Sequence, residues 1–184
     1  MKEQYTVSGF TLIELLLALG ISSLLLLSTL ALPTYWLQQN RFIHHTTQFL
    51  EALEFARSYA LITGYAISIC SSDGNESCSG AAYENAWIVF SELSDAVNGT
   101  LDYGENILLM QKNNADNLSI RSKTFTRSIT YNRFGKADYN GRFIICTKRP
   151  ARVISELVIN QSGRVRLVSY HDNKQPSDIN NCLH

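Results

Sequence analysis

Charge is nearly absent from one long stretch of this 184-residue chain, because Glu14 is the only ionisable side chain between Phe10 and Leu32. A helix built from such apolar and small residues is long enough to cross a hydrocarbon core about 30 Å thick. One span is expected, with a remainder polar enough to be soluble. Proline is scarce, at three residues, and neither a Pro-rich hinge, a low-complexity linker nor a repeat of about 20 to 50 residues interrupts the chain. No second soluble domain is needed, and about 120 residues remain for a single globular one. Cysteine is limited to Cys70, Cys78, Cys146 and Cys182. The lack of any CxxC spacing excludes the closely spaced ligand pairs of a zinc site, and the His44-His45 doublet lies far away on a predicted helix. The histidines His44, His45, His171 and His184 have no nucleophile at a telling distance, and there is neither a GxSxG elbow nor a phosphate-cradling glycine loop. The chain is therefore expected to be no enzyme and to hold no metal or cofactor.

What is present near the start is a lone acid among leucines. Desolvating a carboxylate costs a few kcal/mol even on lenient insertion scales. Glu14 is thus either a functional group with a partner or a tolerated residue that reaches back to the interface. The segment ahead of it, Met1 to Gly9, is too short and polar for a secretory signal, yet it carries Lys2 and ends in a small residue. Together with GFTLIE (Gly9–Glu14) it resembles the type III signal of type IV prepilins. That resemblance implies a leader at residues 1–9, cut by a prepilin peptidase between Gly9 and Phe10 on the cytoplasmic side, with Phe10 then N-methylated. It also implies that Glu14 meets the positive amino terminus of a neighbouring subunit during filament assembly. A buried carboxylate facing an ammonium is far cheaper than either alone. The place implied is the bacterial inner membrane, single-pass, with a periplasmic domain that becomes extracellular in a pilus.

Beyond the apolar run the period changes twice. Phe42, Thr46, Phe49, Leu53, Ala56 and Ala60 alternate by four and three, one stripe on a helix face, and Gln39, Glu51, Glu54 and Arg57 form a wet opposite face. Phe10 to Thr63 is read as one long helix, with residues 10–33 in lipid or a filament core and residues 34–63 an amphipathic continuation, kinked by Pro33. Gly64 stops it. From Tyr65 the period is two, and strands are expected at Tyr65–Cys70, Trp87–Phe90, Ile107–Met110, Leu118–Ile120, Ser128–Tyr131, Arg142–Cys146, Val153–Ile159 and Arg164–Ser169. The fold class expected is α+β and type IV pilin-like: a long N-terminal helix packed on a mainly antiparallel β domain spanning residues 64–184. In an oxidising periplasm an even cysteine count favours disulfides. Of three connectivities, Cys70 with Cys78 and Cys146 with Cys182 are favoured, the second tying down the tail; free buried thiols are the alternative.

The net charge of zero hides a division. Phe42 to Met110 holds one base and nine acids, net −8, whereas Gln111 to Lys174 holds thirteen bases and four acids, net +9. Such asymmetry suggests a polyanion partner, or else two halves that pair with each other. Arg164 and Arg166 alternate with Val165 and Leu167, so both guanidinium groups leave one strand face about 7 Å apart. Lys148, Arg149 and Arg152 lie just ahead of the preceding strand, and the turn Asn160 to Gly163 offers backbone N–H groups that a phosphate can approach because Gly163 has no side chain. Arginine suits that task, since its planar fork binds phosphate oxygens bidentately. The competing reading is a solvated outer face whose charge discourages aggregation. LEFARSYA (Leu53–Ala60), the strand ending in Cys70, Trp87–Phe90, YNRFG (Tyr131–Gly135) and INQSGRVR (Ile159–Arg166) together resemble the GspH/FimT family of minor pilins and pseudopilins, the FimT-type members most of all. In those members associated with natural transformation, a C-terminal Gly-Arg-x-Arg contributes to binding DNA; here it is Gly163-Arg164-Val165-Arg166. The resemblance implies other pilin subunits as partners, and double-stranded DNA bound through phosphates without regard to sequence. Its alternative is a structural minor pilin, or an H-type pseudopilin of type II secretion that needs no DNA. The acidic half could orient the domain or mask its basic face.

Overall fold

Thr11 starts the first helix, α1 (Leu12–Thr29), by accepting the Glu14 N–H on its hydroxyl at 3.4 Å and on its carbonyl at 3.1 Å. The computed structural model describes residues 9–29, 33–80, 82–93, 98–113, 117–149 and 151–170, with the backbone alone at 28–29 and 33–39. It divides after Arg41 into two compact units. In the first, α1 is apolar all round. Its leucines up to Leu27 stand more than half exposed, and Phe10, just ahead of it, is 85 % exposed. Ser22 and Ser23 return their hydroxyls to the Ala18 and Gly20 carbonyls at 2.7 and 2.8 Å, so neither seeks an outside partner. Eighteen residues make about 27 Å of helix. Among the described residues no helix is long and apolar enough to cross a membrane.

Pro33 opens the second helix, α2 (Pro33–Thr63). The kink expected there depends on how Pro33 is joined to α1. Residues 30–32 lie outside the described residues. At the other end Gly64 takes φ +76° and donates its N–H to the Ala60 carbonyl at 2.9 Å, the helix stop read from the sequence.

In the second unit the eight expected strands are all present, within two residues or so of their expected ends. They form two antiparallel sheets. Sheet A runs in the order β3 (Asn106–Lys112), β2 (Ala86–Ser91), β1 (Ile67–Ser72), β5 (Ser128–Tyr131); sheet B runs β4 (Leu118–Arg121), β6 (Gly141–Lys148), β7 (Ala151–Ile159), β8 (Val165–Ser169). One core joins both sheets to the helix stripe: Phe49, Ala52, Leu53, Ala56 and Ala60 of α2 meet Ile69, Trp87 and Tyr131 of sheet A and Ile120, Phe143 and Leu157 of sheet B. Three alanines in that stripe let the helix axis approach closely, and Phe49 fills the remaining space, its ring 4.9 Å from Phe143 and 5.1 Å from Trp87, edge-on to both. Phe42 is only partly buried, at the stripe's end.

The Cys70–Cys78 disulfide forms with a Cα separation of 5.5 Å. It closes the loop after β1, beneath a small cluster of Ile88, Phe90, Leu101 and Met110 on the far face of sheet A. Cys146 is also disulfide-bonded. Cys182, its expected partner, lies outside the described residues.

Candidate nucleic-acid interface

The basic residues singled out in the sequence do not converge. Strand β7 separates them: Lys148, Arg149 and Arg152 flank the β6–β7 turn, Gly163, Arg164 and Arg166 the β7–β8 turn. Nine residues of strand put the two groups about 25 Å apart.

At the β6–β7 end the charge is already engaged. Glu84, buried to 2 %, accepts Arg121 Nη2 at 3.0 Å and Lys148 Nζ at 3.4 Å on one oxygen, and the Ile120 N–H at 3.1 Å on the other. Here the acidic and basic halves of the chain do pair with each other. Asn117 braces the neighbouring turn, its amide donating to the Arg149 carbonyl at 3.0 Å and its oxygen accepting the Arg149 N–H at 2.8 Å. The Arg149 and Arg152 side chains are exposed.

At the β7–β8 end the turn uses its own polar groups. Gly163 donates to the Asn160 carbonyl at 2.8 Å, and Arg164 donates its N–H to Asn160 Oδ1 at 3.1 Å. Of the backbone donors expected to meet a phosphate, those of Asn160 and Gly163 are therefore occupied. Gly163 is buried with φ +78°, and a Cβ there would overlap the Gly135 carbonyl oxygen. Its missing side chain admits another turn, not a ligand. That other turn, Asn132 to Lys136, is built alike. Gly135, at φ +65°, donates to the Asn132 carbonyl at 2.7 Å, and Asn132 Oδ1 accepts the Phe134 and Lys136 N–H groups at 2.9 and 3.2 Å. Asn132-Arg-Phe-Gly135-Lys and Asn160-Gln-Ser-Gly163-Arg thus share one pattern and touch at their glycines. Arg57 clasps the pair by donating Nε–H to the Gly135 carbonyl at 3.1 Å. That corrects its assignment to the wet face of the helix: it is half-buried, and its charge eases the Tyr131 hydroxyl, which burial pushes well above the ordinary phenol range.

Strand β8 begins at Val165, so Arg164 belongs to the turn. It lines a cleft of about 310 Å³ with Glu54, Arg57 and Ser58 of α2. Arg166 lies on the opposite face of sheet B, registered against Val158. Both arginines are exposed, and among the described residues neither forms an ion pair. Sequence reasoning passed over Arg57, Glu84 and Arg142, although Arg142 opens one of the expected strands. At the far end of the chain, Gly9 and Phe10 are exposed ahead of α1, and Glu14 is exposed in its first turn.

A helix laid over two antiparallel sheets in this order is the type IV pilin-like architecture. The crystal structure of the type IV minor pilin FimU from Pseudomonas aeruginosa PAO1 in space group P21 shares it, with a TM-score of 0.57 over 77 % of this chain and 97 % of that one at 20 % identity. Its P65 crystal form gives 0.52 over 71 % and 94 %, also at 20 % identity. The solution structure of Escherichia coli GspH gives 0.49 over 74 % and 94 % at 16 % identity. No curated protein matches the chain. The sequence model of the family described as Type II transport protein GspH matches residues 45–163, and the chain belongs to that family. Its family is that of GspH, and its fold is type IV pilin-like.

Proposed function

We propose that this subunit is a FimT-like minor type IV pilin. It is cut after Gly9, anchored in the inner membrane through residues 10–33, and drawn into a pilus where Glu14 pairs with a neighbour's terminal ammonium. There it holds double-stranded DNA for uptake in natural transformation. The anchor reading is supported by a helix whose exposed leucines cover every side and whose described serines are bonded internally, since such a surface is stable only in lipid or against like helices. The DNA reading is carried by one observation: Glu84 engages Lys148 at one end of sheet B, while at the other Arg164 and Arg166 stand exposed and form no ion pair among the described residues. Contact through phosphates alone is insensitive to sequence and steeply dependent on salt.

The test is duplex binding by the full chain in detergent micelles, followed by fluorescence anisotropy. Wild type should bind at low salt, and the double variant Arg164→Gln, Arg166→Gln should bind on the order of tenfold more weakly with an unchanged melting temperature, having lost two phosphate contacts. Absence of wild-type binding would return the chain to the structural reading, a minor pilin or an H-type pseudopilin.

A further inference from the structure

The register of sheet B aligns three residues across three strands. Arg142 of β6 pairs with Val158 of β7, and Val158 pairs with Arg166 of β8. Paired residues share a sheet face. Their sequence neighbours Phe143, Leu157, Ile159 and Val165 pack in or against the core, so this row lies on the face turned away from α2. Two strand spacings put the Arg142 and Arg166 Cα atoms about 10 Å apart. Beyond Arg142 the surface dips into a cleft of about 480 Å³, lined among others by Lys123, Arg142, Ile144 and Val158. The Lys123 side chain is exposed and that of Arg142 is 47 % exposed.

We infer that the phosphate track of bound DNA leaves the β7–β8 hairpin sideways, from Arg166 across Val158 to Arg142 and on to Lys123, and does not run along β7 to Arg149 and Arg152. This inference rests on the DNA-binding reading above and names its further residues. Cations across the strands stand closer together than cations at the two ends of β7, so a single duplex backbone reaches the first set with little bending. Among the described residues one carboxylate opposes the track. Glu156, 3 % exposed, sits 3.5 Å from Arg142 Nη1. A guanidinium carries five donors, so Arg142 can meet a phosphate without giving up Glu156.

The experiment is duplex anisotropy with the full chain in micelles, from about 50 to 200 mM salt. Lys123→Gln and Arg142→Gln should each weaken binding several-fold and lower the slope of log K against log salt by about one. Glu156→Gln should tighten it, and Arg149→Gln should leave it unchanged. Lys123→Gln removes only an exposed charge, so it decides the matter even if Arg142→Gln unfolds the domain. Should Arg166→Gln weaken binding while Lys123→Gln and Glu156→Gln keep wild-type affinity and slope, the sideways track is wrong and the DNA reading stands. Should the wild type fail to bind at all, the DNA reading falls and the track with it.

Discussion

The two ends of sheet B carry similar numbers of cations and treat them oppositely. Around the β6–β7 turn a buried glutamate gathers Arg121 and Lys148 into a structural knot. Around the β7–β8 turn Arg164 and Arg166 are held in place by backbone geometry and left in water. A buried acid thus subtracts from the positive charge that a candidate binding surface can offer, and the net +9 of the C-terminal half overstates the surface on offer.

The sharpest way to break this contrast is to remove the acid. Glu84→Ala strands the buried Ile120 N–H and releases two cations, which rehydrate because each is about a third or more exposed. The expected loss is about 2–4 kcal/mol, mostly from the orphaned amide, read as a lower midpoint in urea. DNA binding of the surviving folded fraction should not weaken. At the other end the sensitive residue is uncharged. Gly163→Ala forces a side chain into a left-handed conformation and into the Gly135 carbonyl, so about 2–3 kcal/mol should be lost. Asn160→Ala in the same turn should cost less, since it removes only side-chain acceptors. Measuring both by thermal melts tests whether close approach or hydrogen bonding holds the turn.

A third buried acid sharpens the contrast further. Glu92, 3 % exposed, has no cation beside it among the described residues; its Oε1 accepts the Ser68 hydroxyl at 2.6 Å and the Gly99 N–H at 3.0 Å. Burial pushes its carboxyl above the ordinary range, partly offset by those hydrogen bonds. Because the folded state then holds its proton more tightly than the unfolded chain, stability should be highest below the ordinary glutamate pKa and should fall as pH rises through the raised folded value. Glu92→Gln, which keeps the Oε1 acceptor, should flatten that slope in unfolding titrations between mildly acidic and neutral pH. This is the smallest of the three effects.

Much of the fold was legible because it is local. The period-two runs marked all eight strands, and the stripe from Thr46 to Ala60 was buried as its spacing required. What stayed hidden was long-range. Nothing within a strand says that β5 pairs with β1 while β4 pairs with β6, dividing the strands between two sheets. Lys148 looked available because its acid lies 64 positions earlier, and Arg57 looked solvated because Gly135, which it binds, comes 78 positions later. The separation of Lys148, Arg149 and Arg152 from Arg164 and Arg166 follows from one intervening strand. A short sequence interval conceals it, because an extended chain spends nearly all of its residues on distance.

The abutting glycines also limit how such a chain can diversify. Gly135 and Gly163 sit in separate turns, and the clash between them runs one way: a Cβ at Gly163 would enter the Gly135 carbonyl, whereas one at Gly135 would meet the Leu61 side chain. Gly163 cannot accept a larger residue unless the Gly135 backbone retreats, while at Gly135 it is Leu61 that must give way. A shift of the Gly135 carbonyl, far from any arginine of the hairpin in sequence, would be felt in the turn that carries Arg164.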